Sequence, residues 1–282
     1  MIKKLVCLFS YILMCSHCAP YQFVEFGPAF IDINQVELKS ATGMPLSQGI
    51  KDLWVYQDDQ YLGTFPLPCR IPLSQHLDGT IKVYPGIRNY GILSRPEIYP
   101  MMIEYQQHVS LHPFDSLLLK PIFFYKSNLQ PLFQEGFESG NSFSFDLDSF
   151  PASTLIRSNE NFREGQYAGS GHLTQTLPEI EVSTQNIKLT DATKRVLYLE
   201  LDILSDAEIQ IGLGLPQNNA LLKNYFLTLL PTADWKKIYI PLHELLIDVN
   251  IASFQLLVKS RLQKDVATAN FYLDNLKVLS LP

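Results

Sequence analysis

Charge is scarce in this chain. Charged residues make up 18% of its 282 positions, below the roughly 25% of an average soluble domain. The 22 lysines and arginines are outnumbered by 28 acids, for a net charge of −6, and no basic run exceeds the pairs Lys3-Lys4 and Lys236-Lys237. A nucleic-acid-binding surface needs a basic patch or stripe, so nucleic acid is not an expected partner. Cysteine is scarce as well. Four are present, at positions 7, 15, 18 and 69, too few beyond the amino terminus for a disulfide framework. Catalytic signatures are missing: no Gly-x-Ser-x-Gly elbow, no His-Glu-x-x-His, no phosphate loop and no dinucleotide fingerprint. Gly212-Leu-Gly214 lacks the third glycine and lies among strand residues. His108 and His112 are four apart, but in a strand that spacing separates them by ~13 Å, too far for one metal.

What is present points to β-structure. Hydrophobic residues make up 46% of the chain and aromatics 12%, with 14 Tyr and 17 Phe. Aromatic side chains suit a pleated, half-buried surface. The 18 prolines are spread along the chain and argue against long helices. The length accommodates two domains of ordinary size, each able to bury a core without disulfides.

The first residues read as an address. Met1-Ile-Lys-Lys4 is followed by the apolar run Leu5 to Met14, then by Cys15 and Cys18. A basic start and a short apolar stretch fit a secretory signal, and the stretch falls short of the ~20 residues a spanning helix takes. The cysteines after it resemble the lipobox of bacterial lipoproteins, whose cysteine becomes the acylated first residue. Cys15 has Ile12 three residues before it but Met14 directly before it; Cys18 has Ser16 nearby but follows His17. The expectation is a signal over residues 1–18 with lipid on Cys18, Cys15 being the alternative. Such an anchor makes the membrane a partner and implies an exported protein at the outer membrane or cell surface. A rival reading pairs Cys18 with Cys69 after ordinary signal cleavage. Cys69 otherwise reads as a small buried hydrophobe.

Residues 19–127 carry closely spaced strand signals. Ile50 to Tyr56 and Gln60 to Phe65 flank Asp58-Asp59, a hairpin turn in which aspartates bond the nearby backbone. Further extended runs cover Gly79 to Tyr84, Met101 to Leu111 and Pro121 to Tyr125, with turn chemistry at Pro85-Gly86 and Tyr90-Gly91. About seven strands in ~100 residues predict an immunoglobulin-like β-sandwich. The stretch Asp52 to Pro68, with Asp78 to Gly86, resembles PEGA-type β modules of bacterial envelope proteins, which implies an interaction or scaffold module.

Residues 128–282 alternate strongly. Leu197, Leu199, Leu201 and Ile203 share one face of a strand, while Glu200 and Asp202 share a face expected to be wet. Ile238, Ile240 and Leu242 repeat the pattern, as do Phe254, Leu256 and Val258, and one short helix is expected at Leu242 to Ile247. Asp146 and Asp148 alternate with the stripe Phe143, Phe145, Leu147, again as a solvated face. Phe137-Glu-Ser-Gly140, Asn161 to Ser170, Asp234 to Leu242 and Tyr272 to Val278 resemble, in that order, the segments of jelly-roll carbohydrate-binding modules, the galactose-binding-like domains. That resemblance implies a jelly-roll β-sandwich. It also implies a structural calcium, with Glu138, Glu164 and Asp274 at the matching positions; calcium prefers such hard oxygens.

Sugar binding needs an exposed aromatic face with polar groups around it. The candidates are Tyr198, Tyr225, Tyr239 and Trp235. Tyr198 and Tyr239 fall on predicted wet faces, and Trp235 most resembles a structural residue of the fold. The expected function is a non-catalytic envelope lipoprotein that binds a glycan or docks onto envelope proteins. The alternatives are a jelly-roll enzyme acting on polysaccharide and a structural subunit of an envelope assembly.

Overall fold

A computed structural model describes residues 27–43, 45–74, 78–148, 150, 152–190, 196–217, 220–247 and 251–281. The leader and both candidate lipidation sites, Cys15 and Cys18, lie outside the described residues. The chain is almost entirely β-structure, and among the described residues no helix is long and apolar enough to cross a membrane.

The first half contributes β1 (Ala29–Ile33), β2 (Glu37–Lys39), β3 (Pro45–Leu46), β4 (Asp52–Gln57), β5 (Gln60–Pro66), β6 (Cys69–Leu73), β7 (Asp78–Arg88), β8 (Pro96–Ile98), β9 (Tyr105–Ser110), β10 (Ser116–Leu119) and β11 (Ile122–Phe124). Two three-stranded sheets run β10-β1-β6 and β11-β2-β3; a third sheet runs β5-β4-β7-β8, with β9 also on β7. The early and late strands pair in parallel, β1 with β10 and β2 with β11. Alternate residues of these sheets, among them Ile31, Ile33, Leu53, Val55, Ile81 and Val83, meet in one core.

The Asp58-Asp59 hairpin forms as expected. Both aspartates adopt positive φ, 46° and 66°, as the tightest two-residue turns require. Asp58 accepts a hydrogen bond from Thr80 N at 2.8 Å, tying the turn to β7. Pro85-Gly86, expected to turn, instead lies inside β7, paired with Leu53 and Asp52. Gly86 is there for close approach: a Cβ would stand 2.5 Å from the Asp52 carbonyl oxygen.

The second half contributes β12 (Gln130–Glu135), β13 (Phe145–Asp146), β14 (Ile156–Ser158), β15 (Ala168–Thr174), β16 (Glu179–Ser183), β17 (Ile187–Lys188), β18 (Leu197–Ser205), β19 (Ile209–Gln217), β20 (Ala220–Leu229), β21 (Thr232–Pro241), the short helix α1 (Leu242–Leu246), β22 (Ser253–Arg261) and β23 (Thr268–Ser280). One sheet runs β14-β15-β23-β18-β21, with β12 also on β23; the facing sheet runs β13-β16-β22-β19-β20, with β17 also on β22. These pairings are all antiparallel. The leucine and isoleucine stripes close a second core between the two sheets. The molecule is thus two β-sandwiches in series, the second a jelly roll. Its two sheets present two outer faces, and these meet very different surroundings.

Candidate functional site

The outer face of β18, β21 and β23 is covered by the first sandwich. Tyr198 and Tyr239 are each 1% exposed and pack with the first core. Their rings sit 5.2 and 4.9 Å from the ring of Tyr99, spacings typical of favourable aromatic pairs. The Tyr239 hydroxyl accepts a hydrogen bond from Gly49 N at 2.9 Å, and the Tyr239 carbonyl accepts one from Tyr90 N at 2.8 Å. Neither tyrosine is open to a sugar from solvent, which corrects their expected place on a wet face.

Glu200 and Asp202 are likewise buried, both 0% exposed. Burying charge is costly unless it is paired and hydrogen-bonded, and both conditions are met. Glu200 accepts hydrogen bonds from Tyr99, and from Tyr125 at 2.9 Å. Lys237 stands 3.4 Å from Glu200 and 3.3 Å from Asp202. Asp202 also accepts from Ser47 Oγ at 2.9 Å and Asn275 Nδ2 at 3.1 Å. Burial favours the neutral amine of Lys237, but the two carboxylates outweigh it and raise its pKa. The outward polar stripe of β18 is therefore the polar heart of a contact between the two halves.

The proposed calcium ligands are spent on backbone amides. Glu138 accepts from Gln166 N and Tyr167 N at 2.8 and 3.0 Å. Glu164 accepts from Ser47 N. Asp274 accepts from Arg163 N at 2.8 Å, Glu164 N at 3.1 Å and Asn275 N at 2.7 Å. Burial is the main cause lifting the Asp274 carboxyl to about 6, against these donors. Among the described residues no three His, Cys, Asp or Glu side chains are grouped around one point, so Glu138, Glu164 and Asp274 do not form a single carboxylate cluster.

Asp146 is exposed, as expected, but Asp148 and the apolar stripe depart from expectation. Phe143 enters the core at 2% exposure while Phe145 stays 45% exposed, so the three apolar residues do not form one stripe. Asp148 is a loop anchor: it accepts from Phe150 N at 2.6 Å, Ser153 Oγ at 2.7 Å and Glu181 N at 2.8 Å. Cys69 is half-buried and has no disulfide partner among the described residues, with burial lifting its thiol pKa to about 11; it is no reactive thiolate.

The outer face of the second sheet is not covered by the first sandwich among the described residues, and here Tyr225 comes into play. A bulge in the β19–β20 pairing sets Tyr225 opposite Gly212, leaving Phe226 as the extra residue. Bulges re-aim side chains in this way. A Cβ on Gly212 would meet Tyr225 Cδ1 at 2.8 Å, and one on Gly214 would meet Leu221 Cδ1 at 2.8 Å. Gly212 and Gly214 are thus the floor on which the neighbouring strand's Tyr225 and Leu221 lie. Tyr225 is half-buried. Its hydroxyl donates to Glu181 at 2.7 Å, and Glu181 also holds Lys223 at 2.6 Å and Lys259 at 3.4 Å. Lys259 reaches Glu179 at 3.0 Å, and Ser183 donates to Gln255 at 2.9 Å on the same face.

The electrostatics of this cluster are set locally. Burial opposes ionisation of Glu181, but hydrogen bonds from Lys223 and Tyr225 and the charge of Lys259 outweigh it, so its carboxyl lies below the usual range. Burial and the bond to Glu181 raise the Tyr225 hydroxyl pKa. The result is a fixed aromatic ring surrounded by charged and amide groups, a composition suited to a polyhydroxylated ring. Trp235 lies elsewhere, partly exposed on β21.

No family model and no curated protein matches the chain. Among solved structures, it is similar to TmCBM61, described in complex with β-1,4-galactotriose, at 19% identity over 52% of this chain and 94% of that one, with a TM-score of 0.37. It is also similar to a family 22 carbohydrate-binding module of Clostridium thermocellum, at 11% identity over 55% of this chain and 96% of that one, with a TM-score of 0.37. A third, described among carbohydrate-binding modules of the β-sandwich superfamily, is 14% identical over 89% of this chain and 98% of that one, with a TM-score of 0.41.

Proposed function

We propose that the protein is a non-catalytic glycan binder that uses the open face of its second sandwich. The observation that carries this reading is Tyr225, laid on the glycine floor of β19 and held there by Glu181. A ring fixed before the ligand arrives loses little freedom on binding. The flanking Lys223, Lys259 and Gln255 offer donors and acceptors to hydroxyl groups, with Gln255 steadied from beneath by buried Ser183. Glu181 argues against hydrolysis, because a glycosidase acid needs a raised pKa and this carboxyl is lowered.

Affinity electrophoresis of the full chain in gels containing galactan or xylan tests this. Retardation without release of reducing sugar supports it. Tyr225→Ala should weaken binding by roughly tenfold or more, as an aromatic hot spot does. Retardation unchanged in Tyr225→Ala, or sugar release, overturns it.

Display on a membrane surface belongs to the same proposal and is supported by the sequence of residues 1–18. Labelling of growing cells with a tagged fatty acid should mark the wild-type chain and leave Cys18→Ser unmarked. Label lost only in Cys15→Ser would move the anchor to the alternative cysteine.

A further inference from the structure

A pocket lies where the two sandwiches meet, away from Tyr225. Its volume is about 270 Å³, just under the roughly 300–1,000 Å³ of pockets for drug-sized ligands, so it suits a single ring. Lys51, Arg88, Arg163, Lys236 and Lys237 line it together with Trp235, and no acidic side chain does. In a chain of net charge −6, five cations converging on one small cavity are a concentrated departure from the average.

Two of the five are already neutralised. Arg88 makes a forked contact to Asp52 at 2.9 and 3.2 Å, and Lys237 is locked beneath by Glu200 and Asp202. The other three, Lys51, Arg163 and Lys236, have no carboxylate partner among the described residues. Lys236 nonetheless reaches across to the first sandwich, its Nζ 3.4 Å from where a Gly91 Cβ would stand. Trp235 adds a partly exposed aromatic surface beside these charges. Cations at the mouth of a cleft attract and hold an oxyanion, while an indole face favours a ring over a bare ion.

We propose that this pocket binds an acidic sugar unit, its carboxylate held by Lys51, Arg163 and Lys236 and its ring placed against Trp235. The pocket exists only when the two halves are joined, since Lys51, Arg88 and Gly91 come from the first sandwich and Arg163, Trp235 and Lys236 from the second. The inference does not rest on the Tyr225 site, and the two fail separately.

Trp54 and Trp235 are the two tryptophans of the chain, so fluorescence in a Trp54→Phe background reports on the pocket. The experiment titrates the full chain, in mild non-ionic detergent, with trigalacturonate, with neutral galactotriose and with inorganic phosphate. Trigalacturonate should change Trp235 emission saturably, and galactotriose should not. Lys51→Gln with Lys236→Gln should weaken the response by roughly tenfold or more through loss of two charge-assisted contacts, while leaving retardation by neutral polysaccharide intact. Added salt should weaken it as well. A folded chain with no response to trigalacturonate, or an undiminished response in the double variant, overturns the proposal. A response to phosphate as strong as that to trigalacturonate overturns its sugar part.

Discussion

The two outer faces of the second sandwich carry the same chemical trio in opposite settings. On the covered face, Glu200 gathers Tyr99, Tyr125 and Lys237. On the open face, Glu181 gathers Tyr225, Lys223 and Lys259. The side chains of Lys237 and Glu200 are 2% and 0% exposed; Glu181 is nearly as buried at 7%, but its lysines Lys223 and Lys259 are 34% and 24% exposed. A carboxylate sealed from water must keep every partner, because an unpaired buried charge is expensive. Around Glu181 it is the lysines that reach solvent, so water or ligand can take the place of one of them at less cost. The same residue types therefore fasten two domains in one place and present an aromatic ring in the other.

The sharpest way to break this comparison is to remove one lysine from each cluster, Lys237 on the covered face and Lys223 on the open one. Lys237→Met strands two buried carboxylates and should cost about 3–5 kcal/mol of stability. Lys223→Met should cost less, about 1 kcal/mol, because that lysine is partly solvated and Glu181 keeps Lys259 and Tyr225. Urea unfolding of both variants measures the contrast, and equal losses would erase the distinction between the faces. Next in size is Gly212→Ala. Its Cβ would stand 2.7 Å from the Asn224 carbonyl oxygen, a backbone contact that cannot step aside, so about 1–3 kcal/mol of overpacking is expected. Because the same Cβ pushes on Tyr225, glycan retardation should fall with it, whereas a substitution on the covered face should leave retardation unchanged as long as the chain stays folded.

The smallest effect is one of pH. Asp274, on the covered sheet, has its carboxyl raised from 3.8 to about 6 in the folded chain. The native state then binds its proton more tightly than the unfolded state, so stability should fall as pH rises from about 4 through 6. Glu181, with its carboxyl lowered from 4.5, acts the other way: its contribution is present above 4.5 and lost as pH falls below it. Stability curves of wild type and Asp274→Asn between pH 4.5 and 6.5 should differ in slope, flatter in the variant. Parallel curves would mean that the Asp274 environment is not what burial makes it.

Much of this arrangement was legible in the residues. The period-two stripes of β18, β21 and β22 marked their inward faces, Asp58-Asp59 marked a hairpin, and Leu242 to Leu246 forms the short helix expected there. The covering of β18 was not legible, because alternation says which residues point away from a strand's own core and nothing about what they then meet. Glu200 and Asp202 read the same whether water or a second domain lies beyond them. The floor under Tyr225 was missed for a related reason. Gly212-Leu-Gly214 could be tested against a phosphate-binding fingerprint, but its role depends on a bulge in another strand, which no local pattern announces. The cationic pocket draws on segments near residues 51, 88, 163 and 236, so only the folded chain brings its charges together.

Hydrogen–deuterium exchange on the full chain, with and without saturating galactan or xylan oligosaccharide, asks which face meets the ligand. The account predicts added protection across β16, β19, β20 and β22, and no change across β18 and β21, already slow to exchange beneath the first sandwich. Protection appearing at Tyr198 and Tyr239 instead, with β20 unaffected, would contradict it.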